Sequence, residues 1–240
     1  MRAVVVDSRC GRILDDRERA MVGGSEARWI ESQVDGSGEL DHLLVISSLP
    51  WLLPRAVHDL ESWDEALCAG ARGPRMARFG EKMREAADLE HWAAFRASFD
   101  WLASVLEGVA RGDRPPATVC VLSGDVHHQY VAAAEWPEPV RSKVYQIVIS
   151  PLHHSVPISQ RTVFRLGWSR LLEKLTKALG RWDDVPPLPL TGHKIAGPYF
   201  GNSLGTLVLD GRSAVFSLQC AVTTHQQEDR MEPVTELRLS

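Results

Sequence analysis

The apolar positions fall into short β-branched runs separated by longer stretches with helical spacing. Val4–Val6 is such a run, and Asp7-Ser8-Arg9 closes it, which predicts a buried strand ending in a polar loop. His42–Ser48, centred on Leu43-Leu44-Val45-Ile46, predicts a second strand. Thr118–Leu122 predicts a third and Val144–Ile149 a fourth. Thr206–Leu209 and Ala214–Leu218 flank Asp210-Gly211, a pair suited to a tight turn, and so predict a hairpin.

Helices are expected between these runs. Ser25 opens one, with acidic Glu26 in its first turn. Asp35-Gly36-Ser37-Gly38 reads as a turn, and Pro50 and Pro54 force an extended segment. Glu61–Leu67 predicts a short helix and Ala69–Arg75 a loop. Asp88–Ala110 gives the clearest stripe, with Leu89, Trp92, Phe95, Phe99, Leu102, Val105, Leu106 and Val109 at steps of three and four. Gly112 and Pro115-Pro116 end it.

Arg161–Leu179 predicts one basic amphipathic helix. It sets Phe164, Trp168, Leu171, Leu172 and Leu175 against Arg161, Arg165, Arg170, Lys174 and Lys177. Such a helix can lie on a membrane surface, but a packed helix with a solvated basic face is the commoner case. Gln226–Ser240 is polar and reads as a loose tail. Strands alternating with helices, then a hairpin, predict an α/β sandwich.

Composition narrows the function classes. The chain has 240 residues with 44% hydrophobic content, enough for one good-sized domain or part of a larger one. A formal net charge of −4 gives no general attraction for nucleic acid or an anionic membrane, so neither is an expected partner. Anion binding would have to be local, through a metal. The four cysteines, Cys10, Cys68, Cys120 and Cys220, have no CxxC spacing and read as isolated thiols. No signal-peptide pattern opens the chain, so the expectation as written is a cytoplasmic protein.

The chemistry concentrates at Leu122-Ser123-Gly124-Asp125-Val126-His127-His128. Gly124 permits an unusual backbone angle after the strand. Residues two apart in an extended segment face the same way, so Asp125 and His127 converge while Val126 points into the core. A carboxylate and an imidazole at the carboxyl end of a buried strand form half of a metal site suited to iron, manganese or zinc, and the carboxylate also suits calcium. The alternative is an Asp–His contact that merely closes a loop.

This loop resembles the late metal-binding loop of the PhoD-like alkaline phosphatases of the calcineurin-like metallophosphoesterase superfamily. Further resemblances follow in order along nearly the whole chain. They comprise Val6-Asp7-Ser8-Arg9, Trp29, Ser47-Ser48-Leu49-Pro50-Trp51, Asp88-Leu89-Glu90-His91-Trp92, Ser150-Pro151-Leu152, and Asn202 with the closing hairpin. The resemblance implies a metallophosphoesterase sandwich of two packed sheets with helices outside, over 1–225, followed by the polar tail 226–240. It implies hydrolysis of small phosphate mono- or diesters by two metal ions, calcium with iron, with manganese or zinc as further options. Asp125 and His127 match metal ligands. His128 is expected in a solvated or supporting role. Arg9 is a candidate phosphate contact or loop brace, or else a structural partner of Asp7 or a carbonyl. His153-His154 stands where relatives tend to place an Asn. Trp51, Trp63 and Trp92 read as packing residues.

The early ligands of that family, an Asp or Cys, a second Asp and an Asn, have no counterpart in this sequence. The expectation is therefore the C-terminal half of the domain, with the N-terminal half missing, aggregation-prone and inactive alone. A misassigned start, a degraded gene or a separate chain carrying the first half would each account for this, and a lost N-terminus could have carried an export signal. The rival reading is a non-catalytic remnant acting as a binding or structural module.

Overall fold

A computed structural model describes the chain except residues 16–17, 35–39, 152–157, 183–184 and 224–228. The turn expected at 35–38 and the pair His153-His154 lie outside the described residues. The elements in order are β1 (Arg2–Val6), α1 (Gly24–Val34), β2 (His42–Ser47), α2 (Arg55–Cys68), α3 (Pro74–Ala87), a 3-10 turn (Trp92–Ala94), α4 (Arg96–Arg111), β3 (Thr118–Ser123), β4 (Gln129–Glu135), β5 (Lys143–Val148), α5 (Ile158–Leu166), α6 (Arg170–Trp182), β6 (Thr191–Tyr199), β7 (Ser203–Asp210), β8 (Ser213–Thr223) and β9 (Asp229–Arg238).

Two sheets organise these elements into a mixed α/β fold. The larger has the order β1-β2-β3-β5-β4-β6, and the smaller is the meander β7-β8-β9. β1, β2, β3 and β5 run parallel, with Val4 opposite Val45, Val45 opposite Val121 and Val121 opposite Gln146. β4 is antiparallel to both β5 and β6. The period of two sorts the large sheet's side chains into two cores. Val4, Val6, Leu43, Val45, Val119, Val121 and Val144 face the helices, against Ile30 and Val34 of α1 and Phe99, Leu102 and Leu106 of α4. Leu44, Cys120, Val131, Tyr145 and Ile147 face the meander, against Ala214, Phe216, Leu218 and Leu239.

Buried polar contacts fix the meander's position over the sheet. His42 at the start of β2 bonds Thr118 Oγ1 through Nδ1 and the Gly211 carbonyl through Nε2, each at 2.8 Å. Tyr145 on β5 donates to the Leu239 carbonyl at 3.0 Å. A side chain at Gly205 on β7 would collide with Ile149, so glycine sets how closely the layers meet there. β1 stands at the sheet edge with its meander-side face uncovered, leaving Val5 64% exposed.

Several sequence expectations change. Glu61–Leu67 belongs to a longer helix, α2, that starts right after Pro54 and buries His58, Glu61, Ser62 and Asp64. That inward face is largely polar, so apolar periodicity could not reveal its length. Asp88–Ala110 is not one helix. Asp88 adopts a left-handed φ of 52° and closes α3, and Phe95 at φ −130° breaks the backbone again. α4 then starts where the carboxylate of Glu65 accepts the Arg96 N–H at 3.0 Å, satisfying an end donor from a neighbouring helix. Gln226–Ser240 is not a loose tail. It contains β9, registered against β8 from Val215–Arg238 to Thr223–Asp229.

The basic helix expected at Arg161–Leu179 is two helices. Gly167 between them fits against Pro54 and Val57, and Ser169 caps α6 by accepting the Leu171 N–H at 3.3 Å. α6 also turns the opposite way from the expected packing. Glu173, Thr176, Lys177 and Gly180 face inward, whereas Leu171, Leu172, Leu175 and Leu179 face solvent.

Candidate functional site

The carboxyl ends of β1, β2 and β3 form one rim. After β1 the Asp7 carboxylate accepts the N–H groups of Arg9 at 3.2 Å and Cys10 at 2.8 Å, which turns the chain sharply. Those backbone donors hold the Asp7 carboxyl below the usual carboxylate range. The Asp7 N–H in turn donates to Glu26 on the first turn of α1, at 3.0 Å. Gly11 follows, where a Cβ would press on the Asp7 carbonyl at 2.6 Å.

The rim after β2 is buried and polar. Ser47 Oγ lies 3.0 Å from Ser8 Oγ and 2.8 Å from the Leu49 carbonyl, and Trp92 Nε1 donates to it at 3.1 Å. Gln146 ties this segment to the loop after β3. Its Oε1 accepts the N–H groups of Trp51 and Leu52 at 2.9 and 3.1 Å, and its Nε2 donates to Ser123 Oγ at 2.7 Å. The Gly124 N–H reaches the Ser48 carbonyl at 3.3 Å.

Beyond Gly124 exposed and buried residues alternate: Asp125 and His127 are exposed, Val126 and His128 buried. The backbone is not the extended one expected. Asp125 and His127 both adopt left-handed φ values, 63° and 55°. A non-glycine residue in that region carries roughly 1–2 kcal/mol of strain. Two such residues in one five-residue loop mark it as specially shaped. Val126 plugs into a cluster with Leu53, Ala93, Tyr130 and Val148 and anchors the loop.

Arg9 spans from β1 to this loop, its Nη1 2.6 Å from Asp125 Oδ2. Its guanidinium partner is thus Asp125, while Asp7 serves the Arg9 backbone. His128 is buried rather than solvated. Its Nδ1 pairs with the Val126 carbonyl at 2.6 Å, its ring stacks on Phe164 with centroids 4.7 Å apart, and burial pulls its pKa down to about 4. It acts as packing beneath the loop. Trp51 and Trp92 are fully buried.

Sequence reasoning missed one pair beside this rim. Glu61 of α2 is 0% exposed, and its Oε1 lies 2.7 Å from Nδ1 of His91, just before the 3-10 turn. Burial pulls the His91 pKa down, but the bond and charge of Glu61, with the charges of Asp88 and Asp125 beyond it, raise it overall. Glu61 sits on α2 and His91 thirty positions later, ahead of the 3-10 turn, and no local spacing announces the pair.

Asp125 and His127 offer one carboxylate and one imidazole. Among the described residues no group of three or more His, Cys, Asp or Glu is arranged to hold a metal ion. Two donors do not make a dinuclear centre, so these residues alone do not fit the two-metal site that the resemblance implies.

No protein-family model matches the chain, and no curated protein matches it. Among solved structures the chain is similar to one titled "Structure of PhoD", at 9% sequence identity and a TM-score of 0.46. That similarity covers 99% of this chain and 40% of the other, so this chain spans well under half the length of its neighbour.

Proposed function

We propose that this chain carries the late metal-binding loop of a PhoD-like phosphoric ester hydrolase, acting on small phosphate mono- or diesters, with the remaining ligands supplied from outside the described residues. The observation that carries this reading is the loop at the carboxyl end of β3. In it Asp125 and His127 are both exposed in left-handed conformations while Val126 and His128 are buried beneath. The order of family-like segments along the sequence and the two packed sheets support the same reading. Asp125 and His127 would be ligands, and Arg9 would brace the loop or meet a phosphoryl oxygen. Calcium with iron is what the resemblance implies, and manganese or zinc suits the same donors. With two donors in hand, no hydrolytic step is assigned to this chain by itself.

A second reading has its own observation. Asp125 is already engaged by Arg9, and no third ligand joins it among the described residues, as in a non-catalytic binding or structural module.

The deciding experiment assays p-nitrophenyl phosphate and bis-p-nitrophenyl phosphate with calcium, iron, manganese or zinc, on the chain and on its Asp125→Ala, His127→Ala double variant, with calorimetric metal titration in parallel. Weak metal binding that the double variant loses, without turnover, is expected of a half-site. Turnover lost in the double variant would mean that a complete site assembles here. Identical metal binding by both forms would sink the hydrolase reading and favour the module.

A further inference from the structure

We propose that α6, flanked by α5, is an in-plane docking surface for an anionic lipid bilayer. The argument starts from which way α6 faces. Its inward side, Glu173, Thr176, Lys177 and Gly180, packs on α2, close to Asp59 and Ser62. Its outward residues are Arg170, Leu171, Leu172, Lys174, Leu175, Ala178, Leu179 and Arg181, which are apolar or basic without exception. Leu171 is 69% exposed and Leu175 55%, and Leu166 at the end of α5 is 52% exposed. Monomeric soluble proteins rarely leave a continuous stripe of leucines in water.

Charge selects the occupant. α5 and α6 together carry Arg161, Arg165, Arg170, Lys174, Lys177 and Arg181 against one acid, Glu173, on a chain whose formal net charge is −4. That acid is turned inward and bonded to Lys177 at 2.6 Å. Arg170, Lys174 and Arg181, all exposed on α6, therefore border its leucines. That is the pattern of a helix that sinks an apolar stripe to the level of lipid headgroups while its cations meet anionic lipid. A second copy of this chain fits less well, because a two-fold contact through this face would bring the basic borders of both copies together. No helix among the described residues is long and apolar enough to cross a membrane, so α6 would lie on the surface. The proposal does not depend on the hydrolase reading, although Phe164 of α5 stacks on His128 and so places this surface beside the Asp125 loop.

The test is co-flotation of the full chain with vesicles of phosphatidylcholine alone and of phosphatidylcholine with about a third phosphatidylglycerol. Two variants accompany it: Leu171→Glu with Leu175→Glu, and Arg170→Gln with Lys174→Gln. All four positions are exposed, so thermal melting should stay near that of the parent. The expected result is binding to anionic vesicles at least about tenfold stronger than to neutral ones, weakened by added salt and reduced about tenfold or more in each variant. A parent chain that fails to float with anionic vesicles overturns the proposal. So does binding that both variants retain, or light scattering that shows a dimer dissolved by the leucine variant with no vesicle binding.

Discussion

Arg9 and Asp125 stand 116 residues apart in sequence and meet at 2.6 Å, one at the exit of β1 and the other in the loop after β3. The pair occupies an oxygen, Oδ2, that a metal ion would also claim. Both side chains are well exposed, so the pair itself contributes less than about 1 kcal/mol to stability. Arg9→Ala is therefore expected to leave the urea midpoint nearly unchanged. Under the hydrolase reading it should tighten manganese binding severalfold, because a competing cation is gone. Calorimetric titration of the parent and the variant checks this, and weaker binding in the variant would make Arg9 a supporter of the site rather than a competitor.

Gln146 is the buried tie between the β2 exit and the loop. Gln146→Leu keeps the side chain's approximate volume but strands the N–H groups of Trp51 and Leu52, which the Gln146 carbonyl now accepts. At about 1–3 kcal/mol for each of the two orphaned buried donors, a loss of about 2–6 kcal/mol is expected. Denaturant unfolding measures it, and a loss under about 1 kcal/mol would show that these donors find other partners.

His58 makes acid sensitivity testable. It is buried on α2, its Nε2 has no hydrogen-bond partner among the described residues, and burial with the nearby Arg55, Arg96 and His91 charges lowers its pKa from 6.5 to about 3. A depressed histidine means that the unfolded chain binds the proton more readily. Its contribution is complete above about pH 6.5 and is lost as pH falls toward 3, by up to about 1.4 kcal/mol per pH unit. Asp64, raised to about 6 by burial, titrates with the opposite sign, so the slope for the whole protein is not diagnostic. The difference between parent and His58→Leu is. The variant should gain on the parent steadily between pH 6.5 and 4.5, and a constant difference across that range would refute the assignment.

How much of this was legible in the sequence depends on what each element buries. The four parallel strands lie within a residue or two of their expected ends because both faces of each inner strand are apolar. The closing hairpin was readable too, although its turn falls one residue later than expected, at Gly211-Arg212, with Asp210 paired to Ser213. α2 was only partly readable because it buries His58, Glu61 and Asp64. α6 was misread in orientation because it exposes its leucines. β4, an alanine-rich strand, carries too little side-chain signal to distinguish strand from helix. At the loop, outward Asp125 and His127 and inward Val126 were legible, but the left-handed backbone and the burial of His128 were not. Neither the Arg9–Asp125 contact nor the Glu61–His91 pair could be read from local spacing.

Val5 offers a test of the sheet edge. It lies on the uncovered face of β1, whose outer edge has no neighbouring strand among the described residues. An apolar strand with open backbone groups is a template for pairing with another chain. Val5→Lys should change stability by less than about 0.5 kcal/mol yet lower concentration-dependent association. Dynamic light scattering across a dilution series checks it, and unchanged association would place the sticky surface elsewhere.

The two sheets also differ in the order in which they can assemble. β7 and β8 pair across a two-residue turn, so their contacts form on the microsecond scale typical of hairpins. β2 and β3 pair His42 with Thr118, 76 residues apart, and must wait for a long loop to close. The His42–Gly211 bond joins the early element to the late one. Weakening the meander, for instance by Phe216→Ala, should therefore slow refolding, whereas His42→Ala should act mainly by speeding unfolding. The short turn at Gly211 thus lets β7 and β8 meet at little entropic cost, while the parallel sheet they cover must close loops of many tens of residues.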